Sequence, residues 1–269
     1  MTVDENIVRL KEEGWCLVDD VIPDNAITAI REGLDSADLP EDTFGGGQPG
    51  PGKKVRSVIN HNQSFAPYLV EDRVLGPCEA LLGPHVRILE TLYSSDICTD
   101  RGRWHADWPF AQDDSIPGRI PPPYPDVVMG ITTIWMLVPF TPGNGGTLLI
   151  PGTHKEPNNP TGDYYGIGPF EPHPDELQVE GNAGSVLMFD ARLWHARPIN
   201  YSGVLRPMLR VLYVPWWMNL EMFKGGSLER LRLVEEQGLE WPTVELIPAD
   251  VYAKLPGDVK AVFGHWVGC

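Results

Sequence analysis

Apolar residues recur along the chain in two rhythms, one helical and one extended. Over residues 4–14, Ile7, Val8 and Leu10 stand among charges, and Gly14 stops the pattern before a short strand, Trp15-Cys16-Leu17-Val18. Pro23-Asp24 then opens a second amphipathic helix carrying Ala26, Ile27, Ile30 and Leu34, with a proline and an acid at the end where free backbone N–H groups favour them. A further helical stretch lies near residues 74–82, and after the Gly83-Pro84 turn the rhythm shortens. Strands are expected over residues 86–93, 102–108, 127–138, 146–150, 185–190 and 205–215, each bounded by Gly, Pro, Asn or Asp. Helices followed by evenly punctuated strands predict a mainly β fold with flanking α-helices, a jelly roll buttressed by its N-terminal helices.

The connections are as informative as the elements. Residues 45–54 (GGGQPGPGKK) have no apolar content to bury and read as a surface loop, a lid or a tether. Residues 111–126, with an IPPPYP run, and 154–177 are long enough to be functional loops. Residues 227–238 (SLERLRLVEEQG) read as an amphipathic helix with Ser227 as N-cap and Gly238 as its stop. With 28 Gly and 27 Pro in 269 residues, turns must be frequent. No internal repeat and no linker between domains is visible.

Charge and cysteine content narrow the function. Lys and Arg number 21 against 37 Asp and Glu, a net charge of −16, and no basic stripe offsets that field, which argues against nucleic acid. The longest apolar runs, residues 129–140 and 204–218, are broken by Thr, Pro or Arg and fall short of the roughly 20 residues of a spanning helix. The opening MTVDENIVRL has no basic region followed by an apolar core, so a cytoplasmic location is expected. Cys16, Cys78, Cys98 and Cys269 form no CxxC pair and read as reduced, mostly buried thiols.

The chemistry concentrates in Arg103-Trp104-His105-Ala106-Asp107-Trp108. On a strand, His105 and Asp107 share a face about 7 Å apart, a spacing that suits two ligands of one ion. An HxD tripeptide by itself is weak, since it arises by chance in many chains. His195, in FDARLWH, supplies a third ligand if two distant strands lie side by side, and two imidazoles with one carboxylate leave positions open on ferrous iron. The alternation turns Trp104 and Trp108 away from the ligands, toward the N-terminal helices, and Trp194 is expected to pack likewise. Arg206 begins the strand after the Ile199–Gly203 turn region and offers the fork that a dicarboxylate requires, with Arg210 on the same face as its rival. His154, in PGTH, reads as a structural hydrogen-bonding histidine. His173 and Asp175 repeat the HxD spacing but stand beside Pro172 and Pro174, which disfavours a strand and assigns them to solvent.

Taken together, the helix–strand–helix that passes through Glu12-Glu13-Gly14-Trp15, the HAD tripeptide, TPGNGGTLLIPGTH over residues 141–154 and the His195…Arg206 pair resemble the phytanoyl-CoA dioxygenase family of iron(II)- and 2-oxoglutarate-dependent oxygenases. The resemblance covers about residues 5–215 of a single domain spanning 1–269, with 216–269 as a C-terminal helical extension. It implies a double-stranded β-helix, cupin-like barrel, with Fe(II) held by His105, Asp107 and His195. It also implies Arg206 on the distal carboxylate of 2-oxoglutarate and Trp135 as a wall of the co-substrate pocket. The implied activity is a dioxygenase that consumes O2, releases succinate and CO2, and by default hydroxylates a small-molecule metabolite, as in secondary metabolism. Asp107 in place of Gly or Ala argues against the related halogenases. Arg197 stands where family members often have a small residue, which alters charge near the co-substrate. A monomer or homodimer acting without nucleic acid or membrane is expected. Two other readings stay open: a non-oxidative cupin-like isomerase or hydrolase, which needs no Arg206, and a non-catalytic jelly-roll binding protein.

Overall fold

The computed structural model describes residues 2–36, 52–108, 120, 122–158, 160 and 168–268. Helix α1 (Val3–Glu12) starts at a reciprocal cap: Thr2 Oγ1 accepts the Glu5 N–H at 3.3 Å and the Glu5 carboxylate accepts the Thr2 N–H at 2.7 Å. Strand β1 (Trp15–Val18), helix α2 (Asp24–Ser36), strand β2 (Lys53–Arg56), helix α3 (Asp72–Leu82) and strand β3 (Arg87–Asp96) follow. Next come β4 (Ile131–Met136), β5 (Leu148–Leu149), β6 (Leu177–Gln178), β7 (Val186–Asp190), β8 (His195–Ala196) and β9 (Arg206–Val214). The C-terminal part holds α4 (Leu228–Arg230), α5 (Ala249–Lys254) and α6 (Gly257–Phe263).

The strands form two antiparallel sheets, a six-stranded one in the order β1-β7-β4-β9-β3-β2 and a three-stranded one in the order β6-β5-β8. One face of the large sheet is covered by helices. There Leu10, Ile30, Val74 and Phe263 from α1, α2, α3 and α6 close over Trp135, Met188, Val211 and Tyr213 in the main core. The other face shares a second apolar cluster with the small-sheet side, where Ile134, Met136, Leu187 and Phe189 meet Phe140, Leu149, Val179 and Leu193. The site lies on that second face.

Several expectations need correction. Residues 102–108 do not form a continuous strand; only His105 bridges, to His195, while the Trp104 N–H goes to Pro169 O and the Trp108 N–H to Ala191 O. Changing partners at each step leaves no ladder to extend. Lys53 and Lys54 belong to β2 rather than to a loop, and Gly52 is packed so closely that a Cβ would stand 2.2 Å from Ser95 O. The remainder of the 45–54 segment through residue 51, with 111–119, 121, 159 and 161–167 of the long connections, lies outside the described residues. Trp104 packs not on the N-terminal helices but with Leu148, Ile150, Trp194 and Ala196 on the outer side of the small sheet. Ser227 does cap, accepting the Arg230 N–H at 3.0 Å, but after α4 the chain widens into a π-helical turn over Leu231–Glu235. Gly238 ends it at φ 65°.

Beyond Val214 the chain returns to the large sheet. Trp266 Nε1 and His265 Nε2 both donate to Ile88 O, at 2.8 and 3.1 Å, beside the register shift in β3 between Ile88 and Glu90. Cys16, Cys78 and Cys98 are free and buried. Among the described residues, no helix is long and apolar enough to cross a membrane.

Candidate active site

His105 and His195 exchange both backbone hydrogen bonds, at 3.0 and 2.9 Å, which places their side chains next to each other with ring centroids 4.1 Å apart. Each imidazole is turned back on its own chain in the same way. Nδ1 of His105 donates to Arg103 O and Nδ1 of His195 to Leu193 O, both at 2.9 Å. That bond fixes the tautomer and leaves each Nε2 with a free lone pair. Both lone-pair nitrogens face one oxygen, Asp107 Oδ1, at 3.9 Å from His105 and 3.8 Å from His195. The other carboxylate oxygen, Oδ2, accepts the Thr132 hydroxyl at 2.6 Å. Phe189 supports His195 from beneath, ring centroids 4.7 Å apart. Among the described residues, His105, Asp107 and His195 form the one group of three metal-ligating side chains, their ligand atoms within 4.8 Å of one another.

Electrostatics keeps these donors in their binding forms. Burial, reinforced by the neighbouring His195, lowers the His105 imidazolium to about 4. Burial alone would raise Asp107, but the charges of His195, Arg210 and His105 outweigh it and hold the carboxyl at about 2.

Strand β9 contributes the two arginines. Arg206, opposite Asp96 on β3, is 5% exposed and lays its guanidinium over the Phe140 ring at 4.5 Å. Its Nη1 is buried without a hydrogen-bond partner among the described residues. Burial lowers its pKa, although Cys98 and Asp96 beside it act in the opposite direction. Cys98 donates to Asp96 Oδ1 at 3.0 Å, and burial pushes its thiol up to about 12, so it stays neutral. Arg210 is committed elsewhere: Nη2 donates to Glu90 Oε2 at 2.6 Å and Nη1 reaches Asp107 Oδ1 at 3.4 Å. Glu90 also pairs with Arg56. Of the two rivals, then, Arg210 spends its terminal nitrogens on carboxylates, whereas the terminal Nη1 of Arg206 has no hydrogen-bond partner among the described residues.

Trp135 does not wall this cavity. Thr132, Ile134 and Met136 occupy the site-facing side of β4, so Trp135 points the other way, into the helix-side core, where its Nε1 donates to Thr133 Oγ1 at 2.8 Å. Arg197 is exposed, but its charge is felt by both Arg206 and Cys98. His154 is structural: its Nε2 donates to Lys11 O at 3.2 Å at the end of α1. Asp175 is exposed, while His173 is half-buried and accepts the Asp175 N–H at Nδ1, a local turn that engages no site residue. The sequence reading missed Thr132, Glu90 and Phe140. A lone acid inside the apolar run 86–93 was the available signal for Glu90.

Known proteins share this architecture. In solved structures, HygX from Streptomyces hygroscopicus with nickel, 2-oxoglutarate and hygromycin B bound superposes with a TM-score of 0.64 at 16% identity, over 80% of this chain and 88% of that one. The epimerase SnoN in complex with Fe3+, alpha ketoglutarate and nogalamycin RO gives 0.58 at 17% identity, over 79% and 83%. In sequence, the Dioxygenase af480 of Aspergillus fumigatus is 26% identical over 214 residues, 75% of this chain and 63% of that protein. An uncharacterized protein of Mycobacterium tuberculosis, Rv1501, is 30% identical over 99 residues. The chain thus spans about a third of the mycobacterial relative's length and just under two thirds of the fungal one. The phytanoyl-CoA dioxygenase (PhyH) family matches residues 10–208, most of the chain and all of the site described above except Arg210, and the protein belongs to that family.

Proposed function

We propose that the chain is an Fe(II)- and 2-oxoglutarate-dependent dioxygenase on a double-stranded β-helix barrel, hydroxylating a small-molecule metabolite. One observation carries this reading: two Nε2 lone pairs and one carboxylate oxygen converge on a point, while a buried arginine on the same sheet face keeps an open N–H. Two nitrogens and one oxygen suit ferrous iron and leave positions for a chelating keto acid. A buried guanidinium donor without a partner is costly unless an anion completes it, and the distal carboxylate of 2-oxoglutarate is that anion.

His105, Asp107 and His195 would hold the ion, and Arg206, flattened against Phe140, would fix the co-substrate's far end. Bound there, iron(II) with 2-oxoglutarate supplies the oxidation: O2 is consumed, succinate and CO2 leave, and one oxygen atom goes to the substrate. The chain's own work is placement. The Nδ1 bonds to Arg103 and Leu193 hold both imidazoles in the ligating tautomer, and Thr132 fixes the carboxylate's rotation. Cys98 and Ser94 each donate to the neighbouring Asp96 at 3.0 Å, so both oxygens of that acid are engaged beside the arginine. The bound metabolites of the structural neighbours support a small organic substrate. SnoN is an epimerase, so inversion of a stereocentre without net oxygen transfer is the second reading.

The test is anaerobic titration of the apo-protein with Fe(II) and then 2-oxoglutarate. The expected result is a visible charge-transfer band that needs both additions. Its absence from folded, iron-loaded protein would end the proposal. Turnover under labelled O2 separates hydroxylation, which puts label in the product, from epimerisation, which does not.

A further inference from the structure

The contacts of Asp107 extend outward in a chain of charges. Its Oδ1, the oxygen that faces both imidazole nitrogens, is also the one that Arg210 Nη1 approaches at 3.4 Å. A divalent ion held there would share a single oxygen with a guanidinium, and two cations so close repel one another even in a site partly open to water. Glu90 answers that repulsion. It is 6% exposed, its Oε2 accepts from Arg210 Nη2 at 2.6 Å and its Oε1 accepts from Arg56. Register explains the encounter: Glu90 lies opposite Leu212 on β9, one side-chain step along the same face from Arg210, and Arg56 lies opposite Leu92 on β2. With Arg210 on Oδ1, that oxygen has one lone pair left for an ion, while Thr132 occupies one of the two on Oδ2.

We propose that Arg210 and Glu90 form a charge-compensated pair in which Arg210 competes with the metal for the ligating oxygen Oδ1 of Asp107 and Glu90 cancels the arginine's repulsion of the metal. Both are positioning residues. Neither needs to touch metal, co-substrate or substrate. The inference rests on the metal-centre reading above and adds what sets that centre's affinity.

Cobalt(II) titration of the apo-protein, followed by calorimetry with a thermal melt of each variant, tests it. Glu90→Gln keeps the shape and removes the compensating charge, and its cobalt Kd should rise on the order of tenfold. Arg210→Gln removes the competing cation while leaving Glu90 paired with Arg56, so binding should tighten, by about threefold. The double variant should return to near the wild-type value, which a purely structural pair would not produce. Should Glu90→Gln not fold, Arg210→Gln still decides through its opposite sign. Equal cobalt affinity in Glu90→Gln and wild type, or weaker binding in Arg210→Gln, overturns the proposal. Wild-type protein that binds no cobalt would instead remove the metal centre itself, a different failure.

Discussion

The two faces of the six-stranded sheet are built on opposite terms. Toward the helices, Trp135, Met188, Val211 and Tyr213 are buried in the main apolar core, and their two polar tips are satisfied, Tyr213 Oη by Leu69 O and Trp135 Nε1 by Thr133 Oγ1, both at 2.8 Å. Toward the small sheet, the same strands bury Thr132, Glu90 and Arg206, with Asp107 and both histidines held against them. The first face gives up almost nothing to hydration. The second accepts desolvated charges and an unfilled donor, which is what a site waiting for an ion and an acid must do. Stability and function are therefore divided by side-chain parity along the same backbone.

Substitutions on the two faces should separate these terms. The largest effect is expected for Asp107→Ala, which should lower turnover by roughly 10³-fold or more while the apo-protein melts at least as high, because a buried carboxylate is gone. Trp135→Ala should do the reverse, costing about 3–5 kcal/mol in denaturant unfolding with cobalt affinity unchanged. Arg206→Met should weaken 2-oxoglutarate binding about 100-fold by calorimetry, yet raise the melting temperature of the ligand-free protein, since it replaces an incompletely bonded buried cation by a side chain of similar length. Thr132→Val should weaken cobalt binding by about tenfold, as Oδ2 loses the hydroxyl that fixes it.

Acidity should erode stability through the buried imidazoles. The His105 imidazolium, lowered from 6.5 to about 4, binds fewer protons folded than unfolded between those limits. Stability from this group is complete above pH 6.5 and is lost as pH falls toward 4. His265, also lowered to about 4 by burial, acts in the same window. Unfolding titrations at pH 7 and pH 4.5 should show the loss, and His105→Gln should remove part of it.

What the sequence made legible follows from the same parity. His105 and Asp107 were recognisable because a two-residue spacing fixes a shared side even where, as here, only one residue pairs. Side-chain parity did not separate Arg206 from Arg210, because four residues also preserve the side, and only the family resemblance favoured Arg206. The distinction comes from Glu90, which reaches one of them only through the β3–β9 register. Trp135 was misplaced for a related reason: every residue of β4 is buried, so no polar alternation marked which side faced the ligands. Trp104 was sent to the wrong core because the apolar mass of Leu148, Ile150 and Trp194 is remote in sequence.

The turn at residues 152–155 has a consequence for biosynthesis. Gly152 N–H, Lys155 Nζ and His154 Nε2 donate to Glu13 O, Glu12 O and Lys11 O, so one distant loop satisfies three successive carbonyls at the end of α1. Gly14, at φ 84°, lets the backbone pass so near that a methyl there would stand 2.4 Å from His154 Nδ1. The two side-chain donors lie 143 residues from the carbonyls they reach, so on the ribosome α1 is made long before the donors that finish it. The nascent helix must wait, frayed at its C-terminal end, until these 143 further residues have followed it out.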